Sequence, residues 1–202
     1  WYGAALLLPV IISAAGIALM LLLGQPLPAF PRTEPVRALL PLLVTTFVAT
    51  LLYGGPLGEE AGWRGFALPR LQARHSPLVA SLLLSVVWGL WHTPLHLQGV
   101  YHGIFPDGVP GILLRIVTTV PTTIIFTWLY NRTGGNLWLL VLLHTALNNS
   151  SGFWLPVTAG IYATMSIATV ALIIADRMWR RRPPEGATTP AAAVNDSGGK
   201  TR

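Results

Sequence analysis

Six apolar stretches run through this chain: Ala4–Leu23, Ala38–Gly58, Pro77–Leu97, Val109–Tyr130, Asn136–Trp154 and Val157–Ala175. About 20 such residues are what a helix needs to cross the hydrocarbon core of a bilayer. The expected fold class is therefore all-α, a polytopic transmembrane helical bundle of about six spans. Composition agrees. Of 202 residues, 52% are hydrophobic and only 10% charged, with a mean hydropathy of +0.58, where a soluble domain carries about 25% charged residues. The first stretch holds 20 residues without a charge. That exceeds the apolar region of a signal peptide, and no small-residue cleavage site follows it. It reads as a transmembrane helix. Because the chain opens on Trp1 and not on Met, a further helix upstream is expected.

Cysteine is absent, which excludes disulfides, thiolate nucleophiles and sulfur-ligated metal. Any metal would have to rest on His, Asp or Glu. The net charge of +6 comes from basic residues that flank the spans, as expected beside anionic lipid, so the bilayer is the expected partner and nucleic acid is not. Arg177, Arg180, Arg181 and Arg182 follow the last span and place the C-terminus in the cytoplasm. With six spans, Arg64, Arg70, Arg74 and Arg132 fall on the same side, and Arg32 and Arg37 outside. Residues 1–182 form one transmembrane domain, and 183–202, rich in Pro, Ala, Gly and Thr, a disordered cytoplasmic tail.

Ionisable groups at membrane depth are expensive and tend to be functional. Glu59 and Glu60 end the uncharged run from Ala38 to Gly58, just after Gly54-Gly55-Pro56-Leu57-Gly58, a sequence that should kink the helix. The segment from Glu59 to Arg74 mixes Trp63, Phe66, Leu68 and Leu71 with Arg64, Arg70 and Arg74, as an interfacial helix would. On this orientation the glutamates lie near the cytoplasmic face. Neighbouring helical residues point about 100° apart, so both carboxylates cannot face one substrate. Glu60 and Arg64 are spaced i, i+4 in the order that favours an ion pair, which leaves Glu59 as the freer acid. Partial burial would suit it to general-base work at neutral pH. An interfacial Glu–Arg pair that only anchors the helix end is the plain alternative.

Two other spans carry complementary groups. Trp88, His92 and His96 fall on one helical face, with Pro94 set to bend the helix. The metalloprotease His-Glu-x-x-His pattern lacks its Glu here, and His96 is expected near the outer interface, wet and inert. His144 and Asn148 share a face of the fifth span. Singly, each of these residues reads as interhelical hydrogen bonding. Jointly, a Glu pair, a His and a His/Asn pair on three helices point to a hydrolytic site. Depth is a check: His92 lies ~22 Å beyond Pro77 and His144 ~12 Å beyond Asn136 at 1.5 Å per residue, so a shared depth requires a tilt or an offset. Arg115 is expected to snorkel to the interface. His75, His102 and Asp107 lie in loops, with no role and no partner for Asp107.

These residues resemble the CAAX prenyl protease type II family of intramembrane proteases, which also covers bacteriocin-processing and Abi proteins. Glu59, Glu60 and Arg64 match its Glu-Glu-x-x-x-Arg motif, in a context typical of bacterial members. Trp88 to His92 match Phe-x-x-x-His with Trp in place of Phe, keeping an aromatic wall. His144 and Asn148 match His-x-x-x-Asn. The match runs from about residue 40 to 155; the first span and the tail lie outside it. The resemblance implies a membrane endopeptidase whose site opens toward the cytoplasm of a bacterial plasma membrane. Its substrate would be a hydrophobic, prenylated or membrane-embedded peptide or protein. Carried over by motif, Glu59 would be the base that activates water and His92 would position or protonate that water. His144 and Asn148 would stabilise the oxyanion, and Glu60 and Arg64 would orient helix and base. The family is commonly labelled metalloprotease. Glu59, His92 and His144 could offer three donors to a divalent metal such as zinc, although the same groups suffice without one, and no tightly bound structural zinc is expected. Two other functions fit the same residues: a non-catalytic immunity or scaffold protein, and, less well, a proton-coupled transporter. The Gly-Gly-Pro-Leu-Gly-Glu-Glu element has no second copy such as a transporter's repeats would supply.

Overall fold

The computed structural model describes residues 1–26, 29, 35–102, 104–150 and 158–181. Arg32, Trp154, Val157, Arg182 and the 183–202 tail, all named above, lie outside the described residues. Within them the chain is all-helical, as a backbone at membrane depth must satisfy its own hydrogen bonds. Helix α1 (Tyr2–Leu22) precedes α2 (Val36–Tyr53). The chain then breaks at Gly54 and Gly55, where Gly55 takes φ +98°, and Pro56 opens α3 (Pro56–Gly62). Proline suits a first helical turn because that turn needs no N–H there. A five-residue π-helical turn (Trp63–Ala67) leads into α4 (Leu68–Gln72).

Helix α5 (Pro77–Trp91) starts on Ser76, whose Oγ accepts from the Val79 N–H at 3.3 Å, and ends at His92. Pro94 is in the first turn of the short α6 (Thr93–Leu97) that follows, so the bend expected there forms. After a loop, α7 (Val109–Arg132) runs back, and a turn through Gly134 (φ +61°) and Gly135 (φ +79°) leads to α8 (Leu137–Ser150). Thr158 caps the last helix, α9 (Ala159–Ala175).

Among the described residues four segments are long and apolar enough to cross a bilayer: Tyr2–Leu22, Arg37–Gln72, Pro77–Leu97 and Val109–Arg132. The fifth and sixth expected spans hold α8 and α9, with 14 and 17 described helical residues. The expected interfacial segment is α3, the π turn and α4. Phe66 and Arg70 are exposed on it, the Arg70 guanidinium 3.6 Å from the Phe66 ring centre, whereas Glu60 and Arg64 turn fully inward.

α5 packs along α7, and α1 packs against α8 and α9. The core of the bundle joins Ile12 of α1, Ile125, Phe126 and Leu129 of α7, Leu140 and Leu143 of α8, and Met165 of α9. α1 meets α9 at Gly16, where a Cβ would come within 2.6 Å of the Ile161 nitrogen; small residues let helices approach this closely. One end of the molecule is tied together by polar bonds. Arg132 donates to Asp176 at 2.6 Å, Asn131 to Gln72 at 2.9 Å, Arg181 to the Ala73 carbonyl at 3.1 Å, and the Leu78 N–H to the Met178 carbonyl at 3.0 Å. This end carries the described arginines assigned to the cytoplasm, apart from the buried Arg64. Glu59 lies about 20 Å of helix away from Gln72 at 1.5 Å per residue. The two expectations, a cytoplasmic C-terminus and glutamates beside that same face, therefore separate. The basic end and the glutamates are at different levels of the bundle.

Candidate active site

The glutamate pair splits as its helical geometry requires. Glu60 is fully buried, while Glu59 is half-buried and faces a cavity of about 350 Å³. Trp88, on α5, donates its indole Nε1–H to Glu59 Oε2 at 2.8 Å. That leaves Glu59 Oε1 as the oxygen free of this bond. A Cβ on Gly55 would sit 2.7 Å from Oε1. Glycine at that position, needed already for the backbone's positive φ, thus also keeps this oxygen uncovered.

Behind Glu59 lies a closed charged cluster. Glu60 Oε1 accepts from Arg64 Nη1 at 2.9 Å and from His144 Nδ1 at 2.8 Å. The Arg64 guanidinium, itself fully buried, lies between two aromatic faces, 4.3 Å from the Trp88 ring centre and 4.4 Å from that of Phe126. Cation–π contact offsets part of the cost of burying it. The Glu60–Arg64 pair is legible from i, i+4 spacing; the Glu60–His144 bond, joining residues 84 apart, is not. Glu60 therefore ties His144 of α8 to Arg64 and its own helix.

His92 and His144 are 7% and 4% exposed. His92 Nδ1 is 2.7 Å from the Trp88 carbonyl. A carbonyl only accepts, so Nδ1 carries the proton and neutral His92 keeps its Nε2 lone pair. The carboxylate of Glu60 fixes His144 the same way, with Nδ1–H inward and Nε2 at the other edge of the ring. The Trp88 ring touches both imidazoles, with centroids 6.0 Å from His92 and 5.5 Å from His144. Glu59, Trp88, His92, His144 and Asn148 all line the one cavity. The offset in depth between the two histidines is thus bridged by Trp88. The remaining pair, Glu60 and Arg64, supports the cavity from behind without lining it.

The expected metal set can be weighed on its donors. Glu59 Oε2 is taken by Trp88, and each imidazole has Nδ1 engaged. Among the described residues no three His, Asp or Glu side chains come together closely enough to hold a metal ion. Those bonds leave Glu59 Oε1, His92 Nε2 and His144 Nε2 as the set's remaining donors, and a hydrogen-bonded Nδ1 is usual for a metal-bound imidazole, so these three would hold an ion only if drawn closer together.

Several expectations need correction. Arg115, expected only to snorkel, also lines the same cavity, its guanidinium carbon 5.0 Å from the Tyr101 ring centre and 5.8 Å from that of Phe105. The loop after α6 folds these rings against it, which span hydropathy cannot show. A charge inside a span was the signal available. His96 is half-buried, not wet, and packs 4.7 Å from Tyr101 and 5.5 Å from Phe105 between ring centres. Asp107 has a partner after all, His102 Nδ1 at 2.7 Å, with both side chains exposed. His75 closes the turn after α4 and stays away from the cavity, as expected.

Comparison with known proteins points the same way. A family model described as type II CAAX prenyl endopeptidase Rce1-like matches residues 38–150, which carry every motif residue above. The chain is also 34% identical over 92 residues to the CAAX prenyl protease 2 of Methanococcus maripaludis (strain DSM 14266). That match covers 45% of this chain and 34% of the relative, so the chain spans about a third of the length of the curated protein it matches.

Proposed function

The chain belongs to the type II CAAX prenyl endopeptidase Rce1-like family, and from that premise we propose that it is an intramembrane endopeptidase. It hydrolyses a peptide bond in a hydrophobic, lipid-modified or membrane-embedded peptide with water activated by Glu59. The observation that supports this reading is the convergence of Glu59, His92, His144 and Asn148, from three separate helical segments, on one cavity. Its other walls, among them Leu95, Ile104, Leu147 and Met165, suit an apolar substrate.

In this mechanism the water binds between Glu59 Oε1 and His92 Nε2. Glu59 takes one of its protons, and the His92 lone pair accepts a hydrogen bond from the other O–H and aims the oxygen. Attack on the scissile carbonyl carbon forms a tetrahedral oxyanion. The Asn148 amide donates to it, and so does Nε2–H of His144 when that ring is doubly protonated, its charge balanced by Glu60. Donors fixed in advance on developing charge supply a large share of hydrolytic rate enhancement. The C–N bond then breaks, and the proton held by Glu59 passes to the departing nitrogen. One fragment leaves with the new carboxylate, the other with the amine. Glu60 and Arg64 touch none of the reacting atoms; they hold His144 and the helix that carries Glu59.

The test uses the full chain in proteoliposomes with a lipidated peptide. Removing a general base typically costs about 10²–10⁴-fold in rate, so Glu59→Gln is expected to lower cleavage about 10³-fold while the protein still unfolds at the parent temperature. Unchanged cleavage by that variant would remove Glu59 from the mechanism. A Glu59→Gln protein that restored function in deletion cells would favour an immunity or scaffold role.

A further inference from the structure

Away from the hydrolytic cavity, a second recess of about 570 Å³ opens at the basic end, lined by Arg70, Leu71, Ala73, Arg74 and His75. Every polar side chain that lines it is basic. Two cations here are held in place before anything binds. Arg70 donates from Nη1 to the Phe66 carbonyl at 2.9 Å and lies on the Phe66 ring, which leaves its other N–H groups for the recess. Arg181, 108 residues beyond Ala73, donates from Nη2 to the Ala73 carbonyl at 3.1 Å. The bond from the Leu78 N–H to the carbonyl of the buried Met178 ties the segment carrying Arg181 to the turn carrying Arg74. Among the described residues Arg74 and His75 have no ion pair, and Asp176, the described acid at this end, is bonded by Arg132. Like charges fixed close together repel, and a bound anion relieves that repulsion. Loose arginines would serve the positive-inside bias equally well. Arginines fixed around a recess lose less freedom when an anion binds.

The surroundings define that anion. Arginine forks match the oxygens of a phosphate, and His75 adds an N–H donor in either tautomer. The backbone N–H groups of Arg74 and His75 both go to the Leu71 carbonyl, so recognition falls to the side chains. The recess lies just before α5 begins its span at Pro77, and the exposed rings of Phe66 and Trp179 are at the same end, as aromatic residues are at a bilayer interface. Leu71 and Ala73 offer an apolar floor to a glycerol backbone. A soluble phosphate would use the arginines and leave that floor uncovered.

We infer that the recess of Arg70, Arg74 and His75, with Arg181 beside it, binds the phosphate of an anionic phospholipid, one whose headgroup carries no cation of its own. This lipid site is separate from the cavity that holds Glu59.

The full chain in a neutral detergent, equilibrated with equal amounts of phosphatidylglycerol and phosphatidylcholine, tests it, with the retained lipid counted by native mass spectrometry. Phosphatidylglycerol should be retained at least tenfold over phosphatidylcholine, about the effect of one charge-assisted hydrogen bond. Arg74→Gln and Arg70→Gln should each bring the preference to within about threefold of one, with Arg74→Lys in between because it keeps the charge and loses the fork. Arg180→Gln removes the same charge from the same end, outside the recess, and should keep the parent preference. Equal retention of the two lipids by the parent chain overturns the site, as does a preference that survives in both Arg70→Gln and Arg74→Gln. An equal loss in Arg180→Gln also overturns it, since the attraction would then belong to the whole basic end. Sodium phosphate at the lipid's concentration should leave the retained lipid in place; displacement by it overturns the assignment to a lipid. Unfolding temperatures of the variants in lipid-free detergent should equal the parent's, so that each loss is one of binding.

Discussion

Trp88 touches four of the site's side chains, Glu59, Arg64, His92 and His144. Its indole holds Glu59, its carbonyl fixes the tautomer of His92, and its ring faces Arg64 and packs on His144. The first of these contacts is beyond the reach of phenylalanine, the residue the family motif carries at this place. Trp88→Phe keeps an aromatic face and removes one donor to a carboxylate, a bond worth about 1.5–3 kcal/mol. It should therefore lower kcat about tenfold with KM little changed, measured on the lipidated peptide; parent kcat in Trp88→Phe would show that the indole does not position the base. Spacing separated Glu59 from Glu60 and paired Glu60 with Arg64, since both follow from the angle between helical residues. It could not find the bond from Glu60 to His144 or the place of Arg115, because both depend on which helices and loops meet. Those meetings are set by long-range packing.

At the scale of elements, the site depends on two helix breaks. Proline and glycine announced both. The first, at Gly54–Gly55, lets α3 restart at Pro56 and turn Glu59 toward the cavity. The second, at His92, ends α5 where Pro94 cannot continue its bonding. Gly55→Ala tests the first. A side chain at φ +98° costs about 1–2 kcal/mol in backbone strain, and the new Cβ would press on Glu59 Oε1. Activity should fall at least tenfold, more than the matching drop in thermal stability explains. Equal activity in Gly55→Ala would mean that Glu59 has another route to its place.

For the whole molecule, the chain order puts the basic end and the loop that lines the cavity apart. α5 leaves the basic end near Met178 and α7 returns to it at Arg132, so the loop carrying Tyr101 and Ile104 lies at the far end of both. The all-helical class was plain in the sequence. The separation of arginines from glutamates was not, because it follows from a helix that runs on from Glu59 through Arg64 to Gln72. A chain without cysteine allows a clean check. Cysteines placed singly at Arg180 and Ile104 should label from opposite sides of sealed vesicles, with the one at 180 inside if the basic end obeys the positive-inside rule. Labelling of both from one side would contradict the arrangement. The central claim, water activated by Glu59, is tested most directly by a single turnover of excess enzyme in ¹⁸O-water, with the new carboxylate read by mass spectrometry. The product of that first turnover should carry one ¹⁸O for the parent chain, and Glu59→Gln should form almost no product. Unlabelled first-turnover product, or labelled product formed by Glu59→Gln at the parent rate, would contradict it.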